Sequence, residues 1–446
     1  MVHGYVHNVF ISFASLFIFQ TLQELEVVHA NVVGLMSDSA AYMTLCARLL
    51  KELGLINMVH IQCYAHKLDK VTKNFSDKLV RLNQCVSKTK KLFKNTRKRK
   101  HKYMKFLADT YSFTKAKEPK LFPLPVMTRW GSWKKSVEYL CNYVEDVAAY
   151  AKTIPNSESV ISVDYFKGLT KADIDIIKAE ASFVVDYCTP VTDLLLEVEG
   201  SKQPMSHLLY TKITDIRKSF SLLKNAKDVK DILLKDSKNS LAALSDAKQK
   251  NVMSRMQVIG EACCKRIDDF KSEDPAKNIF KASQALFDPR KIVLGSTTDQ
   301  LLVESKTALD FLLASIPLPN FKVLYSLLKD SVKELVKAKT QKGDKDKYKD
   351  TVCDALLSMK EKYPAFVSAC MQVLHFPVSN VDCERAFSAY NDILTPRRSR
   401  QKTENTEIFM SLYFGDGADM EDDFNDLNSV PISDIDEEMD IDPDNE

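Results

Sequence analysis

Three groups of residues have the types and spacing to do chemistry. Asp38 follows a short apolar run, Ala30–Met36, and precedes a helix expected over about Ala40–Leu53. A carboxylate at the C-terminal end of a buried strand stands where open α/β folds place ligands. Cys63 and His66 follow a second expected strand, Met58–Gln62, at the start of a helix running through Val71. They have the types of a metal pair, but two ligands are half of a tetrahedral site, so both are read as packing and hydrogen-bonding residues. The third group is the segment Lys88–Lys105, with ten Lys or Arg and with Phe93, Tyr103 and Phe106 interleaved. Its centre, Arg97, Lys98, Arg99, Lys100 and Lys102, suits a phosphate backbone or a nuclear localisation signal. A solvated helix face is the plainer alternative. Glycine-rich phosphate loops, GxSxG and HExxH are absent from the sequence.

The elements that must position these groups are mostly helical. The 446 residues include only 11 Gly and are rich in Leu, Lys, Ala and Glu, which favours helices. Residues 1–30 read as a strand or loop followed by a helix with Leu16, Phe19, Leu22 and Leu25 on one face. Pro119–Pro125 is a break, followed by Val126 to Trp133 with both tryptophans. From Ser136 to about Gln372 the apolar spacing is helical throughout, as in Tyr139, Tyr143, Val147 and Tyr150. Phe287 to Arg290 is a turn, and Lys337–Asp350 is a charged link.

The last informative stretch is Phe376–Phe414. Ser379 and Asp382 have the spacing of a capping box. Cys383, Phe387, Tyr390 and Leu394 then make an apolar stripe with Glu384 at its edge. Pro396 ends this helix, Arg397, Arg398 and Arg400 form a basic loop, and Ile408, Phe409, Leu412 and Tyr413 share one face of a second helix. Two such short helices need a larger surface to pack on.

The run CERAFS, then ILTPRRSR, then ENTE and an apolar helix, resembles the C-terminal signature of hAT-type transposases. Gln401 stands where that family usually has an apolar residue. The resemblance implies a dimerisation region, with Phe387, Tyr390, Leu394, Ile408, Phe409, Leu412 and Tyr413 at the contact. It also implies an RNase H-like catalytic core interrupted by a large helical insertion. In those terms Asp38, in LMSDSAAYM, is similar to the family's second catalytic Asp, Glu384 to its catalytic Glu, and Cys63 with His66 to a CxxH element. The element Thr128-Arg129-Trp130 is similar to one whose Trp stacks on an unpaired base. For Trp133 a core role is the expectation.

The implied fold class is mostly α with a small α/β part, a truncated RNase H-like core interrupted by a helical insertion. The corresponding domains are 1–118, a partial RNase H-like region with the basic segment; 119–350, the insertion; 351–414, the dimerisation region; and 415–446, an acidic disordered tail.

Strand transfer in this family uses two divalent metals held by two Asp and one Glu, and carboxylates suit Mg or Mn. Asp38 and Glu384 are two of the three. The 37 residues before Asp38 contain no Asp, and neither the opening strands nor a BED-type zinc finger is recognised. The expectation is therefore a vestigial site, no cofactor, and no enzymatic activity; Mg or Mn enters only if the site works.

Charge points to the partner. The chain is +3 overall, but 14 of its 60 acids lie in residues 416–446, where there is no Lys or Arg. That sets 63 basic residues against 46 acids before them, a body of +17. Such a body suits a polyanion, and the expected partners are a second copy of the chain and DNA without sequence preference, in the nucleus. Ten scattered cysteines without CxxC suggest reduced thiols. The apolar run Val9–Phe19 is too short to span a bilayer, so no membrane role is expected. The competing readings are an active metal-dependent hAT transposase, and a helical scaffold without a nucleic-acid role.

Overall fold

A computed structural model describes residues 15–112, 118–125, 131–200, 203–381 and 383–386. Two compact units divide the chain, Met1–Asn380 and Val381–Glu446. In the second, Val381 and residues 383–386 are helical.

The first unit opens with helix α1 (15–24). Ile18, Phe19 and Leu22 pack on a core of Cys46, Ala47, Leu50, Leu55 and Met58. Leu16 and Leu25 are exposed, because the buried stripe runs through residues 18, 19 and 22 and Leu25 lies beyond the last helical residue. Strands β1 (Gly34–Ser37) and β2 (Val59–Gln62) are parallel, with Gly34 opposite Val59 and Ser37 opposite Gln62. Helix α2 (Ala41–Glu52) makes the crossover. β1 is shorter than expected: His29–Asn31 form a 3-10 turn, and pairing begins where β2 offers partners. At Gly34 the strands approach closely: a Cβ there would lie 3.0 Å from Ile61 Cδ1, which would have to shift by a few tenths of an ångström to admit it.

The rest is helical. α3 (Tyr64–Lys78), α4 (Val80–Phe93), α5 (Arg97–Tyr111), α6 (Ser132–Thr153) and α7 (Ile161–Lys167) lead to α8 (Lys171–Glu199). Thr170 and Asp173 form a reciprocal capping box at its start, which satisfies two otherwise unpaired N–H groups. α8 is the axis of the unit, packing on α3, α6, α9 (Leu209–Asn225), α10 (Lys235–Ala242) and α11 (Asp246–Glu273). α9 and α11 approach closely at Gly260, where a Cβ would meet Leu223 Cδ2 and the Phe220 carbonyl oxygen at 3.2 Å.

Then come α12 (Lys277–Phe287), α13 (Pro289–Leu294), α14 (Asp299–Ala308), α15 (Asp310–Leu313), α16 (Leu318–Gln341), α17 (Thr351–Met359) and α18 (Pro364–Leu374). The expected Phe287–Arg290 turn is the α12–α13 joint: Asp288 Oδ1 accepts the Arg290 N–H at 2.9 Å and Pro289 opens the helix. The expected link from Lys337 starts later, because α16 continues to Gln341. Gly343, at φ 73°, then turns the chain. The architecture is thus mostly α with a small α/β part, as the sequence implied. No helix among the described residues is long and apolar enough to cross a membrane.

Candidate functional site

Two polar regions of the first unit meet the requirements of a site, one at the strand ends and one at the head of α5.

At the strand ends, Asp38 follows β1 and its Oδ1 accepts the Ala40 N–H at 3.1 Å, at the entry to α2. Ser37 donates its hydroxyl to the Asp38 carbonyl at 2.8 Å, and its Oγ lies 2.8 Å from His60 Nε2. With the Ser37 proton engaged, Nε2 carries the hydrogen and donates. Burial lowers the pKa of His60; the nearby Asp274 and Asp38 charges oppose that shift, and Lys67 and Lys51 reinforce it.

Behind β2, Cys63 is buried and its N–H donates to Ser37 O at 2.8 Å. Tyr64 then starts α3 and donates its N–H to Val378 O at 2.9 Å. Residues three apart lie on one helix face, so Tyr64 and Lys67 project together, and His66 sits half-buried beside them. Tyr64 and Lys67 both reach Asp274, the residue that joins α11 to α12.

Asp274 is 1% exposed and fully engaged. Its carboxylate accepts the Tyr64 hydroxyl and, at 3.4 Å, the Tyr210 hydroxyl from α9. Lys67 Nζ lies 3.4 Å from Oδ2, and the Ala276 N–H donates to Oδ1 at 3.0 Å. Lys67 also sits 4.3 Å from the Tyr64 ring centroid, and Tyr64 packs edge-on against Phe270 and Phe280. Burial lowers the Lys67 pKa while Asp274 holds it up; burial and then the Asp274 charge push the Tyr64 phenol well above its usual range. A buried pair of this kind is costly to break, about 3–5 kcal/mol when one partner is removed. This cluster ties α3, α9, α11 and α12 together. Among the described residues no three His, Cys, Asp or Glu side chains gather as a metal set.

Sequence reasoning missed Asp274, Lys67, Tyr64, Tyr210 and His60. The local traces were the Tyr64–Lys67 spacing and an Asp274-Pro275 turn, but neither reveals that they meet across some 200 residues.

At the head of α5 the chemistry is reversed. The basic segment divides into the end of α4, a turn with Asn95 at φ 54°, and α5. The first turn of α5 contains no acid and begins Arg97, Lys98, Arg99, Lys100. Its N-cap, Thr96, donates its hydroxyl back to Leu92 O at 3.2 Å rather than accepting an N–H. Cations at the positive end of a helix dipole cost roughly 0.3–1 kcal/mol each.

The interleaved aromatics separate by role. Phe93 and Tyr103 are buried, with ring centroids 4.8 Å apart. Tyr103 continues to Tyr150 at 5.1 Å, and its hydroxyl lies 2.8 Å from that of Tyr139. Phe106 is half-buried. Arg97, Lys98 and Lys102 are exposed, Arg99 and Lys100 half-buried. Arg99 Nη1 donates to Leu92 O at 3.3 Å, and Lys102 pairs with Glu158 at 3.6 Å. A cavity of about 560 Å³ opens here between α5 and the end of α6.

Trp133 is half-buried on α6, and its Nε1–H donates to Asn83 Oδ1 on α4 at 3.2 Å. Ser379, expected as a cap, donates its hydroxyl to Val198 O at 2.7 Å. Glu384 lies on the helical segment 383–386 of the second unit. Arg129, Trp130, Asp382, Phe387, Tyr390, Leu394, Arg397, Arg398, Arg400, Ile408, Phe409, Leu412 and Tyr413 lie outside the described residues, as does the acidic segment 416–446.

The fold and these sites define a predominantly helical protein with a βαβ element and a basic helix head. Residues 347–414 match the hAT family C-terminal dimerisation region, which supports an hAT-type, transposase-like reading of that segment. α17 and α18 lie within the match, and their inner faces, including Leu356, Phe366, Val367 and Leu374, are buried. The presence of a dimerisation region supports self-association. No curated protein matches the chain.

Proposed function

We propose that this is a transposase-derived, non-catalytic protein that dimerises through its hAT-type region and holds DNA without sequence preference, in the nucleus. The observation that carries the DNA reading is the head of α5. Four consecutive cations occupy the end of a helix where they reduce stability, and a polyanion is the partner that would offset them.

Supporting the non-catalytic reading, strand transfer of this type holds two metals with three carboxylates, and the motifs recognised in residues 1–446 supply Asp38 and Glu384. Asp38 also directs one oxygen to the Ala40 N–H, a local structural use.

The test is DNA affinity against salt, read by anisotropy of a labelled duplex. Log affinity should fall linearly with log salt. Replacing Arg97, Lys98, Lys100 and Lys102 with Ala should flatten the slope by up to about one unit for each phosphate left without its cation. Binding indifferent to salt would overturn the DNA reading. Mg-dependent nicking that Asp38→Ala abolishes would overturn the non-catalytic reading. Self-association is tested by light scattering beside a Phe387→Asp, Leu412→Asp, Tyr413→Asp variant: a wild-type dimer and a folded monomeric variant are expected.

A further inference from the structure

The cavity at the head of α5 combines three features that a duplex-binding surface does not need. It is concave, and its volume of about 560 Å³ lies within the roughly 300–1,000 Å³ of pockets that engulf a small ligand. A duplex keeps its bases stacked inside and could lay only phosphates across such a mouth. The cavity also has an aromatic lining. Tyr150 is buried, its hydroxyl donates to Arg99 O at 3.1 Å, and Phe106 lies against it with centroids 5.7 Å apart. That fixes the inner ring and leaves the half-buried Phe106 available to a guest. Ile154 and Pro155 extend the apolar wall.

The third feature is the distribution of charge. Five cations line the cavity against two carboxylates, Asp109 and Glu158. Lys102 is paired with Glu158, whereas Arg97, Lys98 and Lys105 have no carboxylate partner among the described residues. From Arg97 to Lys105 the helix rises about 12 Å, more than one phosphate occupies. A single small phosphorylated ligand would leave part of that row unused, while successive phosphates of one strand would follow it.

We infer that this cavity takes an unpaired nucleic-acid strand, with one base against Phe106 and its flanking phosphates on Arg97, Lys98 and Lys105. The inference rests on the nucleic-acid reading above and narrows it from DNA in general to single strand. Stacking on an aromatic tolerates any base, which is consistent with a site lacking sequence preference.

The experiment compares a labelled oligothymidine, an abasic strand of equal length and a hairpin duplex on the full chain at one low salt concentration. Phe106→Leu keeps the packing volume without an aromatic face, and its thermal melting, expected to be unchanged, controls for folding. Wild type should bind oligothymidine more tightly than either the abasic strand or the duplex. Phe106→Leu should lose roughly tenfold on oligothymidine and less than twofold on the other two. Equal affinity for oligothymidine and the abasic strand, or an equal loss on all three in the variant, would overturn base insertion while leaving general DNA binding intact. Failure of every probe to bind would overturn the DNA reading as well.

Discussion

The strand-end cluster and the head of α5 are both rich in charge, and Lys67 of the one precedes Arg97 of the other by only 30 residues, yet they are built on opposite terms. Around Asp274 the charged and hydroxyl groups are buried and face one another: Lys67, Tyr64 and Tyr210 all converge on one carboxylate. At α5 cations are gathered where the helix end disfavours them, and they stand beside an open cavity. A charge that is buried and matched is explained by the fold it holds. A charge excess at a helix end that disfavours it is what the proposed polyanionic partner would offset.

Asp274→Ala should cost on the order of 3–5 kcal/mol in urea unfolding, because Lys67 is left buried and alone. A loss under about 1 kcal/mol would mean that the cluster ties nothing together.

Acid should sharpen the contrast next. His207 is buried, and burial first, then His375, lowers its pKa to about 3. Its unfolded value is about 6.5, so the unfolded chain takes up the proton more readily. Stability from this residue is therefore complete above about pH 6.5 and is lost as pH falls toward 3, by up to roughly tenfold in the folding equilibrium per pH unit. His60, also lowered by burial, acts in the same direction. His207→Gln should flatten the dependence of melting temperature on pH in that window; an unchanged slope would place the titration elsewhere.

Tyr64→Phe keeps the ring against Phe270 and Phe280 and removes only the hydroxyl that donates to Asp274. About 1.5–3 kcal/mol is expected, as for a hydrogen bond to a charged group, and a neutral result would assign the tie to Lys67 and the remaining donors, Tyr210 and the Ala276 N–H. The smallest effect has the opposite sign. Arg97→Ala with Lys98→Ala should leave stability unchanged or raise it by up to about 1 kcal/mol while weakening DNA binding. A destabilised variant would erase the distinction between the two regions.

Much of the fold was legible. The second strand, expected over Met58–Gln62 and found over Val59–Gln62, the helix after Asp38 and the amphipathic face of Tyr139, Tyr143, Val147 and Tyr150 follow from local period. Less of the site was legible. Asp38 was visible because a strand and a helix bracket it, whereas Asp274 looked like an ordinary acid at a helix end. In the basic segment the sequence shows Phe93, Tyr103 and Phe106 interleaved with cations, without telling which of them face the core.

The sequence by itself determined that this chain is mostly helical, that its charge is divided between a basic body and an acidic end, and that it carries an hAT-type C-terminal signature. All three are properties of local order or of summed composition. Only the tertiary structure decided that Lys67 is a buried structural cation and Lys98 an exposed one, that Phe106 lines a cavity while Tyr103 fills a core, and that Asp274 joins four helices. Periodicity states which side of a helix is apolar. Which partner that side meets depends on residues up to 200 positions away, and only packing brings them together.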